Sequence, residues 1–213
     1  IAIFLTSCQK EVQQENANLA SVTLRANWLN ARLNTHFSQS QHQVTCYLFK
    51  PEELSELIST KNVDHLRFVL GLSNNIIQID AVGVDTFGNE LKSVTSKVFS
   101  DKSFTQKLTK LSTSPENWAK GNNVIDKHLL SPKKAFSYIQ EWQEKLIQGN
   151  QLDEITSYDT ERIHHFSLEK EPILDMVMNG RTVKIALFLS LNKEGKMTTV
   201  FIGLDRDNNL VLP

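Results

Sequence analysis

The chain has 213 residues, 40% hydrophobic and 22% charged, the composition of an ordinary globular protein with enough apolar material for a core. Its formal net charge is -1, with 23 Lys and Arg scattered among 24 Asp and Glu; without a basic block to neutralise a phosphate backbone, nucleic acid is not an expected partner. No apolar run approaches the roughly 20 residues of a membrane-spanning helix, so contact with a membrane would come through an anchor.

The chain opens on the apolar run Ile1-Ala2-Ile3-Phe4-Leu5, reaches Thr6-Ser7-Cys8 and turns polar at Gln9-Lys10-Glu11. That is the pattern of an apolar segment ending at a cleavage site. Leu5-Thr6-Ser7-Cys8 resembles the bacterial lipobox. The resemblance implies that Cys8 carries lipid, that residues 1–7 are the tail of a signal peptide, and that the protein meets a membrane through that anchor. The competing reading is a buried first strand, Ala2 to Thr6, with an incidental cysteine. Two or more acyl chains hold a protein stably where one is marginal. Gln9-Lys10-Glu11 is similar to a short polar signal that sends some lipoproteins of Bacteroidota-type bacteria to the outer surface, so the expected location is the cell envelope, at the outer membrane. Residues 8–18, dominated by Gln, Asn, Glu and Lys, read as a lipidated tether. With Cys8 modified, Cys46 has no disulfide partner in the chain, and its place in an apolar strand makes it a small buried hydrophobe.

After the tether one order of elements is expected twice. In the first unit, residues 19–91, Thr23 caps a helix carrying Ala26, Trp28, Leu29 and Leu33. A strand from Val44 to Phe49 follows, then a short helix opened by Pro51-Glu52-Glu53 and bearing Leu54, Leu57 and Ile58. Two strands, Leu66 to Leu72 and Ile76 to Val84, lead to a turn at Asp85 to Asn89. Residues 92–130, rich in Ser, Thr and Lys, read as a connector with a short helix at Pro115 to Lys120.

In the second unit, residues 131–213, Ser131-Pro132 starts a helix with Ala135, Phe136, Ile139, Trp142 and Leu146 at helical spacing and Gly149 at its end. A strand from Ile163 to Leu168, a short helix with Ile173, Leu174, Met176 and Val177, and a strand pair from Val183 to Leu191 and Met197 to Leu204 complete it. The register supports a duplication. Tyr47, Phe49, Leu54, Leu57, Leu66 and Phe68 face Phe166, Leu168, Ile173, Met176, Ile185 and Leu187 at one constant separation. One extra residue in the second hairpin turn then brings Gly83-Val84-Asp85 onto Gly203-Leu204-Asp205.

His65-Leu66-Arg67-Phe68-Val69 and Ala81-Val82-Gly83-Val84-Asp85, followed by Gly88-Asn89, resemble an uncharacterised family of small Bacteroidota-type proteins built as helix, strand, helix, strand, strand. Ile185-Ala186-Leu187-Phe188 and Phe201-Ile202-Gly203-Leu204-Asp205, with Asn208-Asn209, carry the resemblance in the second half. Ala186 stands where that family has an arginine and Asn208 where it has a turn glycine. The resemblance implies a fold and no activity.

Motifs that carry chemistry are few. Asp205-Arg206-Asp207-Asn208-Asn209 has the alternating acids that open a calcium loop, but Leu210 stands where such a loop needs glycine, so a turn is expected instead. His164-His165 occupies a strand, whose neighbouring side chains point to opposite faces and cannot chelate one ion. Glu52, Glu53, Glu56, Glu169 and Glu171 sit at helix starts, where the dipole favours negative charge. No nucleophile elbow, phosphate loop or dinucleotide fingerprint occurs, and neither a metal nor a cofactor is expected. Trp142 shares a stripe with Ile139 and Leu146 and reads as core. Trp118, in a polar connector, is the aromatic residue to test for ligand contact.

These readings converge on an α+β protein with two related αβαββ halves, antiparallel strands packed on helices and a pseudo-twofold relation between the halves. The expected function is a non-catalytic binding or interaction lipoprotein of the envelope, with an envelope or extracellular ligand or protein as partner. A secreted hydrolase acting on envelope or extracellular polymer is the alternative, and it requires carboxylates, or a His and a carboxylate, to converge in a cleft.

Overall fold

The computed structural model describes residues 21–113 and 128–211, so Cys8, the tether and Trp118 lie outside the described residues. Two helices, α1 (residues 21–29) and α2 (Thr35–His42), stand where one was expected, and Thr23 lies inside α1 rather than at its start. The second begins because the Asn34 side chain accepts the N–H groups of His36 and Phe37, satisfying two of the donors a new helix leaves open.

β1 (Cys46–Phe49), α3 (Pro51–Ile58), β2 (His65–Ser73) and β3 (Ile76–Val84) follow as the pattern predicts. Pro51 sits in the first turn of α3, where its missing N–H is harmless, and Glu52 and Glu53 meet the positive end of the helix dipole. The stretch expected as a connector holds three elements. β4 (Glu90–Thr95) crosses residue 91, and β5 (Lys97–Phe99) and α4 (Phe104–Ser112) come after it. Their low apolar content suits an edge strand and a helix that buries only Phe104, Leu108 and Leu111.

α5 (Pro132–Gln148) is capped by the Ser131 hydroxyl, which accepts from the Lys134 N–H, and it stops at Gly149. A short helix, α6 (Leu152–Ile155), and a hairpin of β6 (Ser157–Tyr158) and β7 (Glu161–Arg162) were not foreseen. β8 (His165–Glu169), α7 (Lys170–Met178), β9 (Lys184–Leu191), β10 (Met197–Leu204) and β11 (Leu210–Val211) complete the described chain.

The strands form two antiparallel sheets of five and four strands, ordered β11-β10-β9-β1-β5 and β4-β3-β2-β8. β1 lies in the sheet of β9, β10 and β11, and β8 in the sheet of β2, β3 and β4. β1 pairs with β9, setting Tyr47 opposite Leu187 and Phe49 opposite Ile185. β8 pairs with β2, setting Phe166 opposite Phe68 and Leu168 opposite Leu66. The constant separation read from the sequence carries each of these pairs onto the other, so β1 and β8 sit in the same register on their neighbours. The corresponding helices α3 and α7 pack against each other. Helices and antiparallel sheets packed together make this an α+β fold.

Between the sheets lies the main core. Leu66, Phe68, Leu70, Ile77, Ile79 and Ala81 meet Tyr47, Phe49, Ile185, Leu187, Leu189 and Met197, with Leu54, Leu57 and Ile173 closing one end and Trp28, Phe37, Trp142 and Leu146 joining from other helices. Alternate residues of the five-stranded sheet, among them Cys46, Ala186, Phe188, Val200 and Ile202, form a second core under α4 and α5. Each large apolar side chain buried this way contributes about 1.5–3 kcal/mol. On the outer face of the four-stranded sheet α1 rides directly over Gly71, where an added Cβ would fall 2.9 Å from that of Leu24. Arg25 of α1 also bonds both carboxylate oxygens of Glu90, at 2.9 and 3.0 Å.

The turns at Asp85 to Asn89 and Asp205 to Asn209 are built alike. In each, one aspartate oxygen accepts two backbone N–H groups, from Phe87 and Asn89 or from Asp207 and Asn209, and the other accepts from the asparagine side chain. Gly88 and Asn208 take the left-handed conformation at φ 88° and 56°. The carboxylates are committed to their own turns, as the turn reading of Asp205 requires.

Candidate functional site

The two-sheet sandwich has two corners that differ. At one, the chain leaves β4 at Thr95, passes through buried Ser96 and enters β5, so a single run edges both sheets. Along it β4 pairs with β3 from Asp80 to Val84, and β5 pairs with β1 from Cys46 to Leu48. At the other corner, among the described residues, β11 pairs with Gly203 and Leu204 of β10. There β8, which matches β1 in register, is the outermost strand of its sheet among the described residues.

A cleft of about 570 Å³ occupies this second corner. β8 supplies Phe166 and Leu168, β10 supplies Thr199 and Phe201, and α7 supplies Ile173 and Met176. Phe68 and Phe201 form the floor, their rings 4.7 Å apart and tilted by 55°. Half-buried Phe166, Leu168, Met176 and Phe201 keep apolar surface in contact with solvent. In the closed corner the residue matching Phe166 is Tyr47, which is 1% exposed. The difference arises from the neighbour that β1 has and β8 lacks among the described residues.

Residues 128–130 line the mouth, with Leu129 and Leu130 exposed and His128 Nε2 3.4 Å from Glu169 Oε2. His165 also borders the cleft, and burial together with the Arg67 guanidinium holds its imidazole below the ordinary histidine value. The walls mix the apolar side chains with polar ones, among them Ser167, Asp175, Asn179, Thr182, Thr198 and Thr199.

Of the residues weighed for chemistry, His128 and His165 reach the cleft, and Glu53 and Glu56 do not. Glu53 bonds Lys50 at 2.7 Å, Glu56 bonds Lys92 at 2.6 Å, and Glu169 faces His128. His164 and His165 are both exposed, where one of the two was expected to be half-buried. Among the described residues no group of three His, Cys, Asp or Glu is placed to hold a metal ion. Nor is any described helix long and apolar enough to cross a membrane. Cys46 is buried, with its thiol pushed up to about 12 by desolvation, and Trp142 is in the core, both as expected. Cys8 and Trp118 lie outside the described residues. The cleft residues went unrecognised because the sequence shows them as core positions, and only the arrangement of strands exposes them. No protein-family model, no curated protein and no solved structure matches the chain.

Proposed function

We propose that this chain is a non-catalytic binding module, held at a bacterial envelope by lipid on Cys8, that takes an apolar ligand group in the cleft between β8 and β10. The observation that carries the binding reading is the open corner itself, a cleft of about 570 Å³ floored by Phe68 and Phe201. That volume falls within the roughly 300–1,000 Å³ of ligand pockets. Solvent-facing apolar walls of this kind are stabilised when a ligand covers them. Glu53 and Glu56 are ion-paired away from the cleft, while His128 and Glu169, which meet at its mouth, are the pair from which a hydrolase reading would start. The common register of β1 and β8 supports a duplicated αβαββ unit with exchanged strands, in which one corner kept its cover and the other became the site.

The test of the cleft is titration with the apolar fluorophore N-phenyl-1-naphthylamine. Wild type should bind it, and Thr199→Trp, which fills the cleft from β10, should abolish binding with circular dichroism unchanged. Phe87→Ser removes an apolar ring that is 88% exposed on a turn outside the cleft and should leave binding intact. Equal binding by wild type and Thr199→Trp would refute the cleft. For the anchor, Cys8→Ser should abolish labelling by a radioactive fatty acid and release the protein from membranes, and persistent attachment would refute it.

A further inference from the structure

We infer that the cleft's ligand is an extended polypeptide segment of a partner, added as an antiparallel strand on the free edge of β8 with an apolar side chain inserted beside Phe166. The inference rests on the cleft reading and names its ligand class.

The phase of the β8 ladder shows what its edge offers. The Leu70 N–H donates to the His164 carbonyl at 3.0 Å, in step with the pairing of Phe68 with Phe166 and Leu66 with Leu168. Antiparallel residues alternate in the side to which they bond. His164, Phe166 and Leu168 therefore bond toward β2, while the N–H and C=O of His165 and Ser167 face the open corner. The exposure pattern agrees, since His165, Ser167 and Glu169 are exposed and Phe166 and Leu168 half-buried. β8 carries no proline or bulge, and its charged side chain, Glu169, stands at its end rather than beside Phe166.

The other corner shows the kind of occupant. There the matching strand β1 receives β5, with Phe99 opposite Cys46, Val98 opposite Tyr47 and Lys97 opposite Leu48. Val98 packs against the main core and Phe99 against the outer one. Because Phe166 matches Tyr47 in position and register, a strand seated likewise on β8 would place its central residue in the cleft. Its flanking residues would stand opposite His165 and Ser167, on the outer face, where polar side chains are tolerated. The run that closes the first corner passes along β3 before reaching β1. Its equivalent would pass along β10, which among the described residues β11 pairs at Gly203 and Leu204. Main-chain bonds of this kind give affinity, and the pocket for alternate side chains gives selectivity.

The probe is a capped synthetic peptide with the sequence of Lys92–Asp101, titrated into the full chain while amide hydrogen exchange is followed by NMR. Saturating peptide should slow exchange at His165 and Ser167 by about tenfold or more. A peptide N-methylated at the positions of Lys97 and Phe99 should lose this protection, as should Ser167→Pro, which removes an edge-facing N–H without breaking a bond to β2. If N-phenyl-1-naphthylamine binds and the peptide gives no protection, strand addition fails and the cleft reading stands; if neither binds, both fail. Concentration-dependent dimerisation lost in Ser167→Pro would assign the edge to a second copy and overturn the inference. So would His165 and Ser167 amides already protected in the free protein, because the edge would then be covered from within the chain.

Discussion

The indole N–H of Trp28 donates to the main-chain carbonyl of Ile163 at 2.7 Å, joining the first described helix to the segment that leads into β8. The Arg162 guanidinium lies over the same ring, 5.1 Å from its centroid, and donates to the Ala31 carbonyl. Trp28→Phe keeps an aromatic filler but leaves a buried carbonyl without its donor. The expected loss is about 1–3 kcal/mol. It should appear as a lower urea midpoint, with circular dichroism and the remaining tryptophan fluorescence following one transition. Two separated transitions would contradict the shared core.

Gln41 carries a second buried link. Its side-chain N–H donates to the Tyr47 hydroxyl at 3.0 Å, and its carbonyl accepts the Ile77 N–H at 2.9 Å, so one amide ties α2 to both sheets. Burial, the larger influence, pushes the Tyr47 hydroxyl well above the ordinary tyrosine value, so it stays protonated. Gln41→Leu is close in volume and satisfies neither partner, and stranding the Ile77 N–H alone should cost about 1–3 kcal/mol. Thermal unfolding measures it, and an unchanged midpoint would exclude the link as a source of stability.

Gly83 is required by close approach. A Cβ there would fall 2.8 Å from Val63 Cγ2 and 3.2 Å from Leu57 Cδ1. Gly83→Ala should therefore destabilise by about 1–3 kcal/mol through overpacking. Adding Val63→Ala makes room, so the double variant should lose less than the sum of the two single changes. Simple additivity in chemical denaturation would show that the contact is not the cause.

The paired turns predict a pH dependence. Asp85 is held below the ordinary carboxylate value first by the Asn89 side-chain amide and then by the Asn89 N–H; at Asp205 the Asn209 N–H leads, followed by its side chain. A carboxyl depressed in the folded state favours folding above its unfolded pKa, and that contribution disappears as pH falls through the folded value. The melting-temperature gap between wild type and Asp85→Asn/Asp205→Asn should be constant near neutrality and close below about pH 4. A gap that persists in acid would locate the effect elsewhere.

What the sequence disclosed follows from local physics. β9 and β10 were readable because both faces of β9 are covered, giving a continuous apolar run broken by the Lys193-Glu194-Gly195 turn. α5 announced itself through Ser131-Pro132 and Gly149, and Asp205 through its turn chemistry. The break between α1 and α2 was hidden because Ala26, Trp28, Leu29 and Leu33 fit one uninterrupted stripe. β4 and β5 were hidden because exposed edge strands carry little apolar signal. The placement of β1 beside β9 and of β8 beside β2 could not be read at all, since alternation within a strand fixes its faces and leaves its neighbours open. The cleft inherits that limit. Phe166, Leu168 and Met176 look the same in sequence as Tyr47, Phe49 and Leu57, and differ only in what stands beside them.

This placement also sets a timetable. β2 and β3 are hairpin partners and can zip as soon as both exist, but β1 precedes them and its neighbour β9 begins only at Lys184. While the chain is being made, β1 can take β5 on one edge early, but its other edge waits for β9 until most of the sequence has emerged, and β2 waits for β8. Loop closure over such spans is slow, and unpaired strands are the segments that aggregate. Neither sheet is complete without a strand from a distant part of the sequence, β1 in one and β8 in the other.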